Sequence, residues 1–316
     1  MFEYLITRPM GFLIRMIYDI VQNYGLSIIF FTIIIKLILM PLTIHSQKAM
    51  RKQQKLQPYL MELQEKYAND KERLQQATMK LYKDNNVSMT GGCLPMLIQF
   101  PILIGLYRVI QKPLTYLLNI DFSLEENISH ITDLVSRMVT EFPDVIGKLK
   151  DYTTDQLINM SQIQLSTWSQ MLNGAQDKWA INFDFLGLDL SVVPYKGVEY
   201  LLAGMFTHVD RILLILIPAI AILTTWLSMK QSQAMTKTPE NASNPAAQMS
   251  KSMNLMMPIM TGFFAFTLPS GLGLYWIISN VMQIVQQAVL NNYFKQREDD
   301  FVVKTPEKNR KNGKKR

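Results

Sequence analysis

One lysine, Lys36, lies inside an apolar run that is long enough to cross a lipid bilayer as a helix. The run extends from Gly25 to Ile44, and a spanning helix needs about 20 mostly apolar residues. A cation near the middle of such a helix costs at least ~2.5 kcal/mol, so it is normally kept only where it faces water or a partner. Snorkelling suits charges near helix ends, but Lys36 lies about 12 Å of helix before Ile44. The sequence therefore favours a buried, water-facing functional lysine, with a snorkelling or merely tolerated lysine as the alternative.

Polar side chains recur in the other apolar runs. Thr32 lies one helical turn before Lys36, and Asn280, Gln283 and Gln287 fall on one face of the last run. The remaining polar residues in these runs are Gln99, Thr224, Thr225, Thr261, Ser279 and Gln286. Such side chains often form interhelical hydrogen bonds worth about 0.6 kcal/mol each. For the glutamines and Asn280 this alternative stands beside a functional role.

Lys36 differs from these residues because no carboxylate within the apolar runs could pair with it, and Asp210, at the edge of the third span, is expected on the outer side. An unpaired ammonium requires water, so the sequence predicts a hydrated groove that opens to the cytosol. Such a groove could draw an acidic or polar segment of another chain part-way into the bilayer and lower the cost of its transfer.

The composition is typical of a polytopic membrane protein. The chain is 48% hydrophobic, and its mean hydropathy of +0.06 averages very apolar segments with strongly charged ones. The single cysteine, Cys93, excludes an internal disulfide, and three scattered histidines argue against a metal site. The sequence holds no nucleotide-binding loop or nucleophile motif, so we expect no cofactor and no enzymatic activity.

Hydrophobic runs predict an all-α polytopic membrane protein with five transmembrane helices. The N-terminal stretch, with Pro9 near its start, has the spacing of an amphipathic helix in the membrane interface. The predicted segments are the interfacial helix (1–23), the first span (24–45), a cytosolic helical hairpin (46–90), the second span (91–118), a long extracellular loop or subdomain (119–209), the third span (210–229), a cytosolic loop (230–252), the fourth span (253–268), the fifth span (271–292) and a basic cytosolic tail (293–316).

Charge orients these spans, because cytoplasmic loops carry an excess of Lys and Arg. Residues 46–90 hold nine basic and five acidic side chains, and residues 295–316 hold nine basic and four acidic ones. Residues 119–209 hold five basic and twelve acidic side chains. The sequence therefore predicts an N-terminus outside the cell and a C-terminus in the cytoplasm.

The segment 46–90 has the spacing of two paired helices. Its apolar stripes are Leu56, Leu60, Leu63 and Tyr67 on the first helix, and Leu74, Thr78, Leu81 and Tyr82 on the second. Asn69 is expected to cap the second helix, with Glu72 three residues later. The hairpin is either a basic arm that touches anionic lipids, incoming chains or the ribosome, or a solvated link between two spans.

Several stretches together carry a more specific signal than any of them alone. They are NYGLSIIF (23–30), KLILMPLT (36–43), LQP (56–58), DK (70–71), MKLYK (79–83), GGCLPMLIQFPILIGLY (91–107), PSGLGLYWIISN (269–280) and QQ (286–287). This set resembles the YidC-type membrane protein insertases in their Gram-positive-like, five-span form.

The resemblance implies a membrane insertase and chaperone of protein transport in the bacterial plasma membrane. Its partners would be nascent membrane proteins, the ribosome, the Sec translocon and anionic lipids, with nucleic acid touched only through ribosomal contact of the basic tail. Lys36 matches the family's groove cation, and Thr32, Tyr275 and Trp276 match segments that a substrate helix contacts. The predicted substrate groove comprises Lys36, Thr32, Gln99, Tyr275, Trp276, Asn280 and Gln283.

Three features depart from the family pattern. The groove cation is Lys where Arg is usual, and Lys is a more compact and more strongly hydrated charge. The residues before Gly91 are Ser-Met-Thr where the family often has Asn-Pro, and the loop 119–209 is long. The range of clients and the role of that loop are therefore left open.

Two other function classes fit parts of the sequence. A small transporter or channel would bind an anion at Lys36, but it predicts inverted repeats and broken midplane helices, which the sequence does not display. An assembly factor without translocation predicts that neutralising Lys36 is harmless while removal of residues 46–86 is not. An enzyme is the least supported class, because the spans hold no nucleophile–base or carboxylate pair.

Overall fold

A computed structural model of the chain describes residues 2–88, 94–143, 156, 160–202, 209–235, 245–296 and 303. Helices occupy most of these residues, as the sequence predicts, and one pair of short strands accompanies them. The chain divides into two compact units. The first unit comprises Met1–Ile34, Phe100–Leu223 and Met260–Ser279, and the second comprises Ile35–Gln99, Thr224–Ile259 and Asn280–Arg316.

The described residues form a series of helices and one pair of short strands. In chain order they are a π-helical turn (Glu3–Thr7), α1 (Arg8–Val21), α2 (Tyr24–Ile38), α3 (Met40–Lys66), α4 (Lys71–Asp84), α5 (Leu94–Gln111), α6 (Pro113–Tyr116), α7 (Glu125–Glu141), α8 (Gln162–Asn173), β1 (Asp184–Phe185), β2 (Leu188–Asp189), α9 (Tyr195–Leu202), α10 (Val209–Leu213), α11 (Leu216–Met235), α12 (Pro245–Thr267) and α13 (Ser270–Gln296).

Length and hydropathy support the predicted spans only in part. Within the described ranges, no helix taken singly is long and apolar enough to cross a bilayer. The helices α2 and α3 pass that test as a pair bent by 56°, and Met256–Thr267 is a shorter apolar stretch. The all-helical class is thus confirmed in outline, apart from the two-residue strands, while the count of five spans stays a prediction.

Several helix boundaries differ from the predicted ones. The predicted first span breaks at Leu39, and the predicted third span divides at residues 214–215 between α10 and α11. The helix α13 runs through the predicted fifth span into the start of the tail and ends at Gln296. Most of the predicted tail, and the residues around Cys93, lie outside the described residues.

In the first unit, α1 carries apolar side chains on two faces. Met10, Ile14, Ile17 and Tyr18 are buried, and a Cβ on Gly11 would lie 2.9 Å from the Tyr116 ring, so α1 packs closely on α6. The opposite face exposes Phe12, Met16 and Ile20. The helix α1 therefore has one apolar face against protein and another left open, and its position in a membrane interface stays a prediction.

The segment that follows α6 folds around a fully buried tryptophan, Trp179, which contacts the rings of Phe122 and His130. Next to it, the Asp177 carboxylate accepts hydrogen bonds from the Ser169 hydroxyl (2.5 Å), the Trp179 backbone N–H (2.8 Å) and the Asn173 amide (2.7 Å). Burial alone would raise the pKa of Asp177, but these hydrogen bonds outweigh burial and hold the pKa below its ordinary value. The residues around Trp179 therefore have a packed and hydrogen-bonded core, and the subdomain predicted for 119–209 stays a prediction.

The residues 182–192, which we call the β-hairpin segment, satisfy backbone donors at the starts of two helices. The Asn182 carbonyl accepts from the Tyr24 N–H (3.0 Å) at the start of α2. The Val192 carbonyl accepts from the Ser270 N–H (3.0 Å) and hydroxyl (2.6 Å), and the Leu190 carbonyl accepts from the Gly271 N–H (3.0 Å), at the start of α13. Because the first N–H groups of a helix have no intrahelical partner, this segment completes both helix ends.

In the second unit, α3 and α4 form the predicted helical hairpin. Leu56, Leu81 and Val87 are buried at its centre. Tyr59, Leu60, Leu63, Tyr82 and Val303 pack against them. The cap of α4 differs from the prediction, since the Asp70 carboxylate, and not Asn69, accepts from the Arg73 N–H (3.0 Å). Asp70 is one residue closer to the helix, which places its carboxylate within reach of the third helical N–H.

Side chains also join α3 to α13 within the second unit. The Arg51 guanidinium donates to Asn291 Oδ1 (2.6 Å) and lies 4.7 Å from the centre of the Phe294 ring. Charge-assisted and cation–π contacts of this kind fix the direction of the hairpin's first helix relative to α13.

Candidate functional site

Lys36 occupies the last turn of α2 and is partly exposed. In the part of the chain that the structure describes, none of the ion pairs involves its ammonium, and no carboxylate oxygen lies within 4.0 Å of it. The unpaired, water-facing lysine stays a prediction. A cation without a protein counter-charge favours contact with water or with a negatively charged group from another molecule.

The helix that carries Lys36 ends two residues later, at Ile38, before a break at Leu39 that the sequence analysis did not anticipate. Pro41, at the start of α3, has no N–H and so cannot donate to the Leu37 carbonyl. The Lys36 carbonyl accepts a hydrogen bond from Gln286 Nε2 (3.0 Å) on α13. Gln286 therefore holds the backbone of the lysine at the point where the helix bends.

The seven predicted groove residues divide between the two units. Thr32, Tyr275 and Trp276 belong to the first unit. Thr32 is fully buried, and its hydroxyl donates to the Ile28 carbonyl (2.6 Å) of its own helix. Tyr275 is also buried, whereas Trp276 is partly exposed and stacks on Phe264 with an interplanar angle of 18°. Of these three side chains, Trp276 is the one open to contact.

Lys36, Gln99, Asn280 and Gln283 belong to the second unit. The Asn280 amide donates to Thr225 Oγ1 (2.8 Å) and Thr224 Oγ1 (3.2 Å) on α11. Its contacts match the interhelical hydrogen bond that the sequence analysis left open as an alternative. Gln283 is exposed and Gln99 is partly exposed. The role of these residues in a substrate groove stays a prediction.

Two polar residues have structural roles that the sequence analysis did not assign. Gln286 was noted only as a polar residue of the last run. Asn23 was noted only within a matching stretch, yet its Oδ1 accepts from the Leu26 N–H (3.0 Å) and its Nδ2 donates to the Asp184 carbonyl (2.7 Å). An asparagine just before an apolar helix is a sequence signal for an N-cap, and that signal could have identified Asn23.

Metal chemistry finds no support among the described residues, where no group of three His, Cys, Asp or Glu side chains is placed to hold an ion. The chemistry that the second unit can offer at Lys36 is electrostatic. A fixed positive charge on a helix end, with its backbone held by Gln286, can attract an anionic or strongly polar group.

Comparison with known proteins agrees with the resemblance described above. Residues 16–298 match the family model described as 60Kd inner membrane protein. The chain is 30% identical over 305 residues to "Membrane protein insertase YidC 2" of Listeria innocua, which covers 94% of this chain and 74% of the relative. It is 29% identical over 288 residues to "Membrane protein insertase YidC" of Beijerinckia indica, which covers 91% of this chain and 37% of the relative.

A third relative is more similar over a shorter stretch. "Membrane protein insertase YidC" of Syntrophus aciditrophicus is 49% identical over 105 residues, or 33% of this chain and 19% of the relative. The chain spans little more than a third of the length of several of these relatives, including those of Beijerinckia indica and Brucella suis. The match of the family model over 16–298 and the similarity to the Listeria protein along most of its length nevertheless agree, and the chain belongs to the 60Kd inner membrane protein family, that of the YidC insertases.

Proposed function

We propose that this protein is a membrane insertase and chaperone. It draws polar segments of nascent membrane proteins into a hydrated cationic groove and releases their hydrophobic helices into the bilayer, alone or with the Sec translocon. The observation that carries the proposal is Lys36, a cation in an apolar helix for which the described residues offer no counter-charge. The names of the relatives, membrane protein insertases, support the same function.

Attraction and release place opposite demands on the groove. The lysine lowers the cost of bringing an acidic or polar segment below the membrane surface, because opposite charges attract more strongly where the effective dielectric constant is low. The apolar residues around it on α2 favour passage of the substrate's hydrophobic helix into lipid. Such a process requires neither a cofactor nor a covalent step, so we propose no enzymatic activity.

The charge distribution supports an arrangement in which the N-terminus lies outside and the helical hairpin and tail face the cytoplasm of a bacterium. The basic tail and hairpin would then meet the ribosome and anionic lipids. In a Cys93→Ser background, Ala175→Cys should be labelled by a membrane-impermeant maleimide added outside cells. Lys66→Cys, exposed on α3, should be labelled only after the membrane is opened. The reverse pattern would contradict the orientation.

Site-specific photocrosslinking tests the function directly. A photoreactive amino acid at Trp276 or Gln283 should form adducts with ribosome-bound nascent chains as their hydrophobic segment emerges. These two positions lie seven residues apart, on one face of α13, and both side chains are accessible. Val289 provides a matched control, because it is exposed on the same helix but on another face, about 140° around the helix axis from Trp276. Equal crosslinking at all three positions, or none, would argue against a substrate-contacting face.

A transporter remains the second candidate because of one observation. The break at Leu39 places a bent helix beside a cation, which is the arrangement that transporters use for ion and substrate sites. The photocrosslinking experiment separates the two functions, since a transporter of small anions forms no adducts with nascent chains.

A further inference from the structure

The tip of the β-hairpin segment has an amino acid that its backbone conformation does not favour. The strands β1 and β2 pair in an antiparallel register, and Leu186 and Gly187 form the turn with φ angles of +57° and +78°. A turn with two positive φ angles normally takes Asn, Asp or Gly, because a leucine there brings its Cβ close to the backbone. Leu186 gains no packing within the chain in return, since 86% of its surface is exposed.

Contacts within the first unit fix the position of this tip beside the start of α2. The Phe185 side chain lies directly over Gly25, where an added Cβ would come within 2.5 Å of the ring. The Asn23 amide donates to the Asp184 carbonyl (2.7 Å), which holds the base of the hairpin at the same helix end. A turn with one exposed leucine is therefore held at the level where α2 begins.

The helix α1 contacts the base of the same hairpin and has an exposed apolar face of its own. The Tyr18 hydroxyl accepts from the Asn182 N–H (3.1 Å), so α1 contacts the base of the hairpin. Phe12, Met16 and Ile20 are exposed on α1, with Ile20 82% exposed, three residues before the cap of α2. Exposed apolar side chains on two adjoining elements near the beginning of one apolar helix favour a lipid surface over a small pocket-shaped partner.

We propose that Leu186 is a lipid anchor. The hairpin tip inserts Leu186 into the boundary between headgroups and acyl chains on the side of the bilayer where α2 begins, next to the exposed face of α1. Asp184 and Asp189, which face each other at the base of the strands, stay in the headgroup layer, so insertion is shallow. The anchor rests on the proposed membrane placement of α2, and it would hold the start of α2 at a fixed depth through Phe185 and Asn182.

Depth-dependent fluorescence quenching tests the anchor. Full-length Cys93→Ser protein with a single cysteine at Leu186, Ile20, Phe30 or Ala175 is labelled with an environment-sensitive dye and reconstituted into phosphatidylethanolamine–phosphatidylglycerol vesicles. Spin-labelled lipids then quench dyes at shallow or deep positions. Ala175 is the matched control, because it is exposed in a turn of the same unit. We expect shallow quenching at Leu186 about threefold above that at Ala175 and similar to that at Ile20.

The four positions keep the anchor and the proposed function separable. Strong deep quenching at Phe30, which is exposed on α2, reports that α2 is in the bilayer. If Phe30 is quenched and Leu186 behaves like Ala175, the anchor is wrong, whatever the insertion activity of the same vesicles. If Leu186 is quenched but the vesicles insert no client, the proposed function fails and the anchor stands. A dye at Leu186 that is shielded in native membranes but not in lipid vesicles would show a protein partner and overturn the proposal.

The Leu186→Asn variant provides a second test without a dye at the tip. Asparagine suits the left-handed conformation, so the detergent-solubilised protein should be at least as stable to heat as the wild type. In vesicles, a protease that cleaves at exposed turns should cut the variant at the hairpin several-fold faster, because the tip no longer enters lipid. Equal cleavage of variant and wild type in vesicles would contradict the anchor.

Discussion

Replacing Lys36 with methionine should abolish insertion of a single-span test protein whose translocated segment is acidic, whereas Lys36→Arg should retain insertion. Methionine keeps an unbranched side chain and a high helix propensity, so the change removes little besides the charge. Two unit charges 4 Å apart attract by about 4 kcal/mol at an effective dielectric constant of 20. If Lys36 and the client realise a third of that attraction, its loss lowers the rate of insertion or the affinity for the client about tenfold. Depletion of the endogenous protein, complementation with each variant and protease protection of the client measure the effect.

The control for this experiment is Thr43→Val, on the other side of the break. The Thr43 hydroxyl donates to the Leu39 carbonyl (3.1 Å) within its own turn, and the residue is not part of the predicted groove. Loss of the Thr43 hydroxyl should leave insertion within about twofold of wild type. A client with a neutral translocated segment should depend less on Lys36 than the acidic client does. Full insertion of the acidic client by the Lys36→Met protein would remove the charge-attraction mechanism and favour an assembly role.

Lys36 could be recognised from the sequence because its signal is local. An apolar run of spanning length with one central cation, and no carboxylate in the runs beyond Asp210 at the edge of the third span, is visible without coordinates. The helical hairpin was predictable for a similar reason, since the apolar spacing of α3 and α4 brought Leu56 and Leu81 to one core. Each of the two predictions depended on residues of a single helix or of two consecutive helices.

The bend beside Lys36 was not predicted, although its cause is in the sequence. A mean hydropathy over a window of residues does not report a change in the direction of the helix. The run through Pro41 therefore has the hydropathy of one straight span. Pro41 at the start of α3 breaks the backbone ladder, and Gln286, about 250 residues away, donates to the carbonyl of Lys36. The partner could not be inferred because long-range pairing of a glutamine with a backbone carbonyl has no sequence signature.

The β-hairpin segment was hidden for a related reason. Its links to α2 and α13 are made largely by backbone carbonyls of Asn182, Leu190 and Val192, and every residue type has a carbonyl. The long loop 119–209 therefore gave no sign that part of it completes two helix ends. The local clues were Asn23 and Gly25, a cap residue and a residue without a side chain, where α2 starts.

Replacing Gly25 with alanine should destabilise the protein by about 1–3 kcal/mol, the usual cost of forcing extra volume into a packed site. A Cβ at this position would lie 2.5 Å from Cγ, 2.6 Å from Cδ2 and 2.7 Å from Cβ of Phe185. Rotation about the Cα–Cβ bond of Phe185 could move Cγ and Cδ2 but not Cβ, which is fixed by the backbone at 2.7 Å, so the hairpin itself must shift. The shift would strain the Tyr24–Asn182 and Asn23–Asp184 hydrogen bonds. Thermal unfolding in detergent and limited proteolysis at residues 182–192 measure the loss.

The second variant, Phe185→Ala, decides whether the close contact is the cause. Alone it removes the ring from Gly25 and should destabilise the protein through lost packing. Combined with Gly25→Ala it also removes the two closest ring contacts and leaves only the Cβ of residue 185, 2.7 Å from the added Cβ. The double variant should therefore be more stable than the sum of the two single losses predicts, by about 0.5–3 kcal/mol. Additive losses would mean that Gly25 matters for its effect on α2 itself and not for seating the hairpin. Because Tyr24 and Gly25 begin the helix that ends at Lys36, a positive coupling would show that the β-hairpin segment holds the start of the helix on which the proposed insertion chemistry depends.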